Sequence, residues 1–337
     1  MVTIKQVAEK ANVSTATVSR VINGNYPVSE KVKNKVMKTI KELGYRPNSI
    51  ARSLKCNKTY MVGMVVPDIS NNYFMDIARG VESVISPLGY SLIFCSTNEN
   101  TDKELRLLNA LNDKRVDYVL LASSTQEDHK LQKFIDQGMN IIMIDTSLEN
   151  LQIDSVVEDN YNATYKLISY VIDQGHKRIG AVNGLLSVST AKERYNGFCK
   201  ALEDYDISLE QSYIVNGAYN RKKSYEEVKF MIQRNINNLP TVLFAANNDM
   251  AEGAMIALKE MNLKIPDDIS IVSFGDINLA ELIEPRLTII SQNAVLIGQK
   301  AGELMLKKVS GNSENDITKV TIPSEIIIRN SVKSILD

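Results

Sequence analysis

The chain has 337 residues, of which 44% are apolar and 23% charged, with a formal net charge of −1. That fits a globular protein of two or three domains and excludes a disordered or fibrous chain. No apolar run approaches the roughly 18 residues of a membrane span, and no positively charged leader precedes an apolar core. The three cysteines, Cys56, Cys95 and Cys199, are odd in number and far apart. The expectation is a cytoplasmic protein with reduced thiols, no disulfide framework and no metal site.

The near-zero charge hides a split. Residues 1–58 hold twelve Lys or Arg against three Asp or Glu, and the remainder holds 27 against 37. A basic head on an acidic body is the footprint of a nucleic-acid-binding module joined to something else. Part of the excess comes from Lys31, Lys33, Lys35, Lys38 and Lys41, which a merely solvated helix would also show.

The first elements read as two short helices and a tight turn. Thr3 can cap the first, with Gln6 at capping-box spacing. Ile4, Val7, Ala8 and Ala11 share a face, and Asn12-Val13 makes the turn. Ser14 can cap the second helix, whose inner face is Val18, Val21 and Ile22. Its other face shows Thr15, Ala16, Ser19 and Arg20, small, polar or basic side chains that suit a DNA major groove. The pattern also fits an ordinary helical hairpin, and the charge split is what favours DNA. After the loop Gly24–Val28, Ser29 can cap a third helix with Val32, Val36, Ile40 and Leu43 inward and Gly44 as its stop.

The stretch from Pro47 to Lys55 allows a two-turn helix capped by Asn48, marginal alone in water. It is either a linker with incidental apolar residues or a hinge helix that lies in a minor groove with Leu54 as a wedge.

From Tyr60 onward apolar runs alternate with amphipathic stretches. Strands are expected at 61–66, 91–95, 117–122, 140–144, 178–183, 241–246, 269–274 and 319–328, and helices at 73–86, 102–113, 127–137, 160–174, 190–204, 221–234, 249–262 and 294–309. This rhythm implies parallel sheets covered by helices, and its length implies two lobes.

Catalytic signatures are missing. The sequence has two histidines, no phosphate-cradling glycine loop, no nucleophile elbow and no His or Cys cluster at metal spacing. His176, after Gly175 at a helix end, is expected to be structural, a cation there being favourable to the helix dipole. What remains is polar groups at the C-terminal ends of strands, where ligands bind in open α/β sheets. These are Asp68 to Phe74, Asp145, Ser187 to Arg194, Asn247-Asn248-Asp249 and Gly275-Asp276. Together with Tyr73, Phe74 and Tyr219 they suit a small polyhydroxylated or planar ligand. Asp249 and Asp276 can equally serve as helix caps.

These residues resemble the LacI (lactose-repressor) family of bacterial transcription regulators. The resemblance rests on Thr3-Ile4-Lys5-x-Val7-Ala8, Val13-Ser14-x-x-Thr17-Val18-Ser19-Arg20-Val21-Ile22-Asn23, Gly44-Tyr45-x-Pro47-Asn48 and Ala51-Arg52-Ser53-Leu54 in the head, and continues through Gly175-His176, Arg194-x-x-Gly197-Phe198, Asn248-Asp249-Met250-Ala251 and Pro285-x-Leu287-Thr288. It implies a helix-turn-helix domain over 1–47, a hinge helix and linker over 48–58, and an α/β core over 59–337 of two Rossmann-like lobes of periplasmic-binding-protein type I. The N-lobe would take about 59–160 plus 291–320, and the C-lobe about 161–290 plus 321–337.

The resemblance further implies a homodimer on a palindromic operator. DNA would be met by Thr3, Ser14, Thr15, Ala16, Thr17, Ser19, Arg20, Asn23, Tyr45, Asn48, Ser49, Ala51, Arg52, Leu54 and Lys55, with Arg20 reading a guanine. An effector would meet Asn72, Tyr73, Phe74, Asp145, Thr190, Arg194, Tyr219, Asn248, Asp249 and Asp276. No cofactor and no enzymatic activity are expected. The hinge and the Tyr73-Phe74 pair are similar to purine-responsive members, but Val188 and Gly275 stand where those have an arginine and an aspartate. The reading therefore leans to a repressor of a catabolic operon controlled by a sugar, sugar acid or sugar phosphate, with a purine or a protein co-regulator as the alternatives. Lys192, Arg221 and Lys222 keep an anionic ligand open.

Overall fold

A computed structural model describes residues 2–23, 27–45, 58–124, 128–148, 150–310 and 316–336, with Asn23 by its backbone alone. They fall into two compact units, Met1–Thr59 and Tyr60–Asp337. Asn48, Ser49, Ala51, Arg52, Leu54, Lys55 and Cys56 lie outside the described residues.

The head has three helices, α1 (Ile4–Ala11), α2 (Thr15–Asn23) and α3 (Glu30–Leu43). Thr3 and Gln6 form the reciprocal capping box that their spacing predicts. Asn12 takes the left-handed conformation at φ 49° and closes α1, and Ser14 accepts the Thr17 N–H at 3.1 Å to open α2. Val7, Ala8, Ala11, Val18 and Val36 form a small buried core, with Ile4, Val21, Ile22, Val32, Ile40, Leu43 and Tyr45 packed around it. Ser29 differs from expectation: its side chain makes no cap bond. Its carbonyl accepts the Val32 and Lys33 N–H groups instead.

The second unit begins with β1 (Met61–Val66), α4 (Asn72–Ile85), β2 (Ser91–Ser96), α5 (Thr101–Asp113), β3 (Tyr118–Leu121), α6 (Asp128–Asp136), β4 (Ile141–Asp145) and β5 (Asp154–Glu158). It continues with α7 (Asn160–Asp173), β6 (Ile179–Asn183), α8 (Ser189–Asp204), β7 (Ile214–Asn216), α9 (Arg221–Arg234), β8 (Val242–Ala245), α10 (Asn248–Glu260), β9 (Ser270–Phe274) and β10 (Thr288–Ser291). It closes with α11 (Ala294–Val309), β11 (Lys319–Ile322) and β12 (Glu325–Ile327).

Two six-stranded sheets result, ordered β11-β5-β4-β3-β1-β2 in the N-lobe and β12-β10-β9-β8-β6-β7 in the C-lobe. All N-lobe pairs are parallel. In the C-lobe only the β10–β12 pair is antiparallel. Helices cover both faces, so central strands are apolar without alternation: β4 and β9 are buried at every position.

The chain crosses between lobes three times. It leaves β5 for α7, which packs on α8 of the C-lobe, and leaves β10 for α11, which packs on α4 of the N-lobe. The last crossing lies between β11 and β12, after Ile322. The sequence pattern treats 319–328 as one strand. The structure divides it at Pro323-Ser324 between the two sheets, since a proline has no N–H to continue a ladder. Strands β5, β7 and β10 escape the pattern because they are three to five residues long and, in β5 and β10, carry polar residues such as Asp154, Ser155 and Thr288.

Glycines let the paired helices touch. A Cβ at Gly298 of α11 would collide with the Ile77 carbonyl of α4, and one at Gly253 of α10 with the Arg221 carbonyl of α9. His176 is buried between Thr241 Oγ1 at 2.9 Å and the Lys333 carbonyl at 3.0 Å. Burial lowers its pKa, which works against the helix-end cation of the sequence reading, while its two ring contacts make it the structural link expected. Among the described residues, no helix is long and apolar enough to cross a membrane, and no cluster of His, Cys, Asp or Glu could hold a metal ion.

Candidate functional site

The head presents Thr15, Ala16 and Arg20 exposed on α2, while Val18 on the opposite face is buried. Short side chains at the start of the helix allow its N-terminal turn to approach a base edge closely, and an arginine one turn on supplies the bidentate donor that guanine accepts. Thr17 and Ser19 flank this strip half-buried. Thr3 and Ser14 are exposed but engaged as caps, so any contact they make with DNA is shared with that task. Tyr45 packs against the head's core.

In the second unit, strand ends from both lobes converge on a cavity of about 60 Å³. The N-lobe brings Asp68 and Asn71 after β1, Tyr73 and Phe74 on α4, Glu99 after β2, Ser123 after β3, and Asp145 and Thr146 at the end of β4. The C-lobe brings Val188, Thr190 and Arg194 of the α8 region, Tyr219 after β7, and Asn247, Asn248 and Asp249 at the start of α10. Gln292, at the second crossing, completes it.

Each side chain is held from behind. Arg194 is 4% exposed. It donates from Nε to Asn160 Oδ1 at 2.8 Å and from Nη1 to the Ala246 carbonyl at 2.7 Å, with its guanidinium 3.7 Å over the Phe274 ring. The Tyr73 hydroxyl donates to Asp145 Oδ1 at 2.8 Å, and its ring meets Phe74 edge-on at 5.2 Å. Tyr219, left-handed at φ 57°, shares a hydrogen bond with Thr190 at 2.8 Å. Its ring lies against Gly184, where any Cβ would strike it. Across the lobes, Asn71 Nδ2 reaches Asp249 Oδ2 at 2.9 Å and Asn248 Oδ1 at 3.2 Å.

Burial dominates the electrostatics. It pushes Glu99 up to about 7 and Asp249 up to about 6, the latter helped by Glu252. It raises Asp145 against the pull of Arg194. Glu158, 2% exposed behind the cavity, is pushed up to about 7 by burial although it accepts the Gln292 Nε2 and Asn293 N–H groups at 2.6 and 3.2 Å. Tyr219 is pushed up to about 12, again by burial, so its phenol stays protonated.

Of the ten residues expected at an effector, the structure brings eight to this cavity. Asn72 and Asp276 do not line it. Asn72 donates to Asn278 at 2.6 Å, and Asp276 is gripped by both Arg329 Nη atoms at 3.1 and 2.7 Å. Asp249 is not the cap of α10: Asn247 is, accepting the Met250 N–H at 2.8 Å. Lys192, Arg221 and Lys222 do not line the cavity either. Arg221 pairs with Glu252 at 3.2 Å and Lys222 with Glu226 at 3.9 Å. Sequence reasoning missed Glu99, Ser123, Thr146 and Gln292. Gln292 follows the short strand β10, which the apolar pattern does not mark, and Glu99 sits in a left-handed turn at φ 56° after β2. Gly275 has φ +90°, and a Cβ there would lie 2.5 Å from Gln292 Oε1, so this backbone does not suit an aspartate.

Residues 3–48 match the model of bacterial regulatory proteins of the lacI family, and residues 59–330 match that of periplasmic binding proteins and the sugar binding domain of the LacI family. Over 338 residues and 100% of both chains, the sequence is 35% identical to the HTH-type transcriptional repressor PurR of Haemophilus influenzae (strain PittEE). It is 34% identical over 334 residues to Catabolite control protein A of Priestia megaterium, covering 98% of this chain and 99% of that protein. In structure it is similar to the lac repressor dimer bound to operator and the anti-inducer ONPF, with a TM-score of 0.86 and 25% identity over 98% of this chain and 99% of that one. With a helix-turn-helix head, a two-lobed α/β core and full-length identity, this chain belongs to the LacI family and is a non-catalytic, DNA-binding transcriptional regulator.

Proposed function

We propose that the chain is a homodimeric repressor whose operator affinity is set by a small ring compound of the purine kind, bound between the core lobes. The observation that carries this reading is the meeting of Asp145 and Tyr73 from one lobe with Arg194 and Tyr219 from the other in a single cavity. A ligand there touches both lobes and biases their separation, pivoting on the three crossings. The full-length likeness to a repressor named for purines supports this over the sugar-controlled catabolic operon of the sequence reading. Exposed Ile256, Leu279 and Leu282 on the C-lobe supply apolar area for a second copy.

By linkage, whatever factor the effector imposes on DNA affinity, DNA imposes on effector affinity. The test is operator binding by fluorescence anisotropy, using a palindrome selected from random DNA, with and without adenine, guanine and hypoxanthine. A change in affinity with a purine is expected. A change with a neutral sugar and none with any purine returns the reading to the catabolic operon. Arg20→Ala should cost about 1–3 kcal/mol of specific binding with no loss of core stability. Binding should fall with salt at a log–log slope of about −0.9 per phosphate neutralised.

A further inference from the structure

The cavity is lopsided in charge. Asp68, Glu99, Asp145 and Asp249 line it, and Glu158 and Glu193 stand directly behind, bonded to Gln292 and Asn160. Among the lining residues Arg194 is the one cation, and Asn160, the Ala246 carbonyl and the Phe274 ring already engage its guanidinium.

Donors are short as well. Asn71 directs its amide N–H groups to Asn248 and Asp249, and Tyr73 directs its hydroxyl to Asp145. Gln292 gives an N–H to Glu158, which leaves its Oε1 turned toward Gly275 as an acceptor. Two helix N-termini, of α4 and α10, open here and would favour an anion. Asn71 and Asn247 cap them, however, and Asp249 in the first turn of α10 offsets the second. Three aromatic side chains, Tyr73, Phe74 and Tyr219, offer ring faces and edges, and Val188 adds an apolar wall.

We infer that the cleft admits a ring compound bearing amino or hydroxyl donors and no anionic group, an amino-substituted base or its nucleoside, and turns away nucleotides, sugar phosphates and sugar acids. The inference rests on the cavity being the effector site. A phosphate placed here meets carboxylates from both lobes against a single cation, Arg194, whose Nε and Nη1 already donate to Asn160 and the Ala246 carbonyl, whereas an amino group finds carboxylate acceptors on either side. Glu99, near 7, and Asp249, near 6, follow the ligand: donors draw them toward their ionised form, and an anion forces them to keep protons.

The experiment is a thermal-melt titration of the full chain with matched pairs that differ by a phosphate: adenosine and adenosine monophosphate, ribose and ribose 5-phosphate, glucosamine and glucosamine 6-phosphate. The uncharged or cationic member of at least one pair should bind tighter than its phosphorylated partner by about tenfold or more. Replacing Glu99→Gln and Asp145→Asn together should narrow that ratio, and Thr190→Val should weaken the binding. A phosphorylated member that binds as tightly as its parent, and is weakened by Thr190→Val, overturns the charge inference and leaves the effector site standing. Binding untouched by Thr190→Val, or no binding in any pair, overturns the cavity as the effector site and the inference with it.

Discussion

The two lobes share a strand order and differ in what they bring to the cleft. In each, the first strand of the lobe pairs with the second and third, and a late-arriving strand closes the far edge. In each, a helix starts beside the cavity under an asparagine cap, Asn71 in one and Asn247 in the other. Yet the N-lobe brings three carboxylates, Asp68, Glu99 and Asp145, whereas the C-lobe brings one, Asp249, beside Arg194, Thr190 and the paired amides Asn247 and Asn248. One scaffold thus serves two walls of different charge balance, and the charge preference of the site is set mainly by the N-lobe.

The largest expected effect tests the C-lobe wall. Arg194→Ala strands Asn160 Oδ1 and the Ala246 carbonyl in a buried site and removes the positive charge that favours ionised Asp145, and should cost about 3–5 kcal/mol in a urea melt. If it costs no more than Asp145→Asn, the walls are not energetically distinct. Next comes Glu158, where the lobes join. Its carboxyl, near 7 when folded and near 4.5 otherwise, holds a proton in the folded state that the unfolded chain releases. Its contribution is therefore full below about pH 4.5 and is lost as the pH rises to about 7, by of order 3 kcal/mol at most. Glu158→Gln should flatten that part of the stability curve between pH 5 and about 7.5. A wild-type curve already flat there would sink the assignment.

Packing should not distinguish the lobes. Gly298→Ala and Gly253→Ala each drive a methyl into a facing carbonyl, and each should destabilise by about 1–3 kcal/mol in chemical denaturation. A large inequality would mean that one helix pair yields and the other does not. Smallest is Tyr219→Phe, which removes one hydrogen bond to Thr190 and should cost about 1 kcal/mol in the same measurement.

What could be read from the amino acids follows from how local each signal is. Thr3, Gln6, Asn12, Ser14 and Gly44 declare the head because caps and left-handed turns act within a few residues. The uninterrupted apolar runs of β1 and of Ile141 to Ile144 in β4 declare the sheets. Ser29 misleads because a cap-forming residue type does not fix which way its side chain turns. Asp276 misleads because its partner Arg329 is 53 residues away, and no spacing rule reaches that far. Glu99 and Gln292 escape for the same reason: the loops that aim them are short, and their neighbours in space are distant in sequence.

The three crossings bear on how the molecule is made. The strands that close both sheets, β11 and β12, lie at 319–327 and are synthesised last. Until they leave the ribosome, β5 and β10 remain open edges, with unpaired N–H and C=O groups ready to pair with any neighbour. Neither lobe can finish well ahead of the other: the β5 flank stays open from residue 158 until β11 is made, and the β10 flank joins it from residue 291 until β12 is made. Chaperone demand and aggregation during expression should concentrate in that interval.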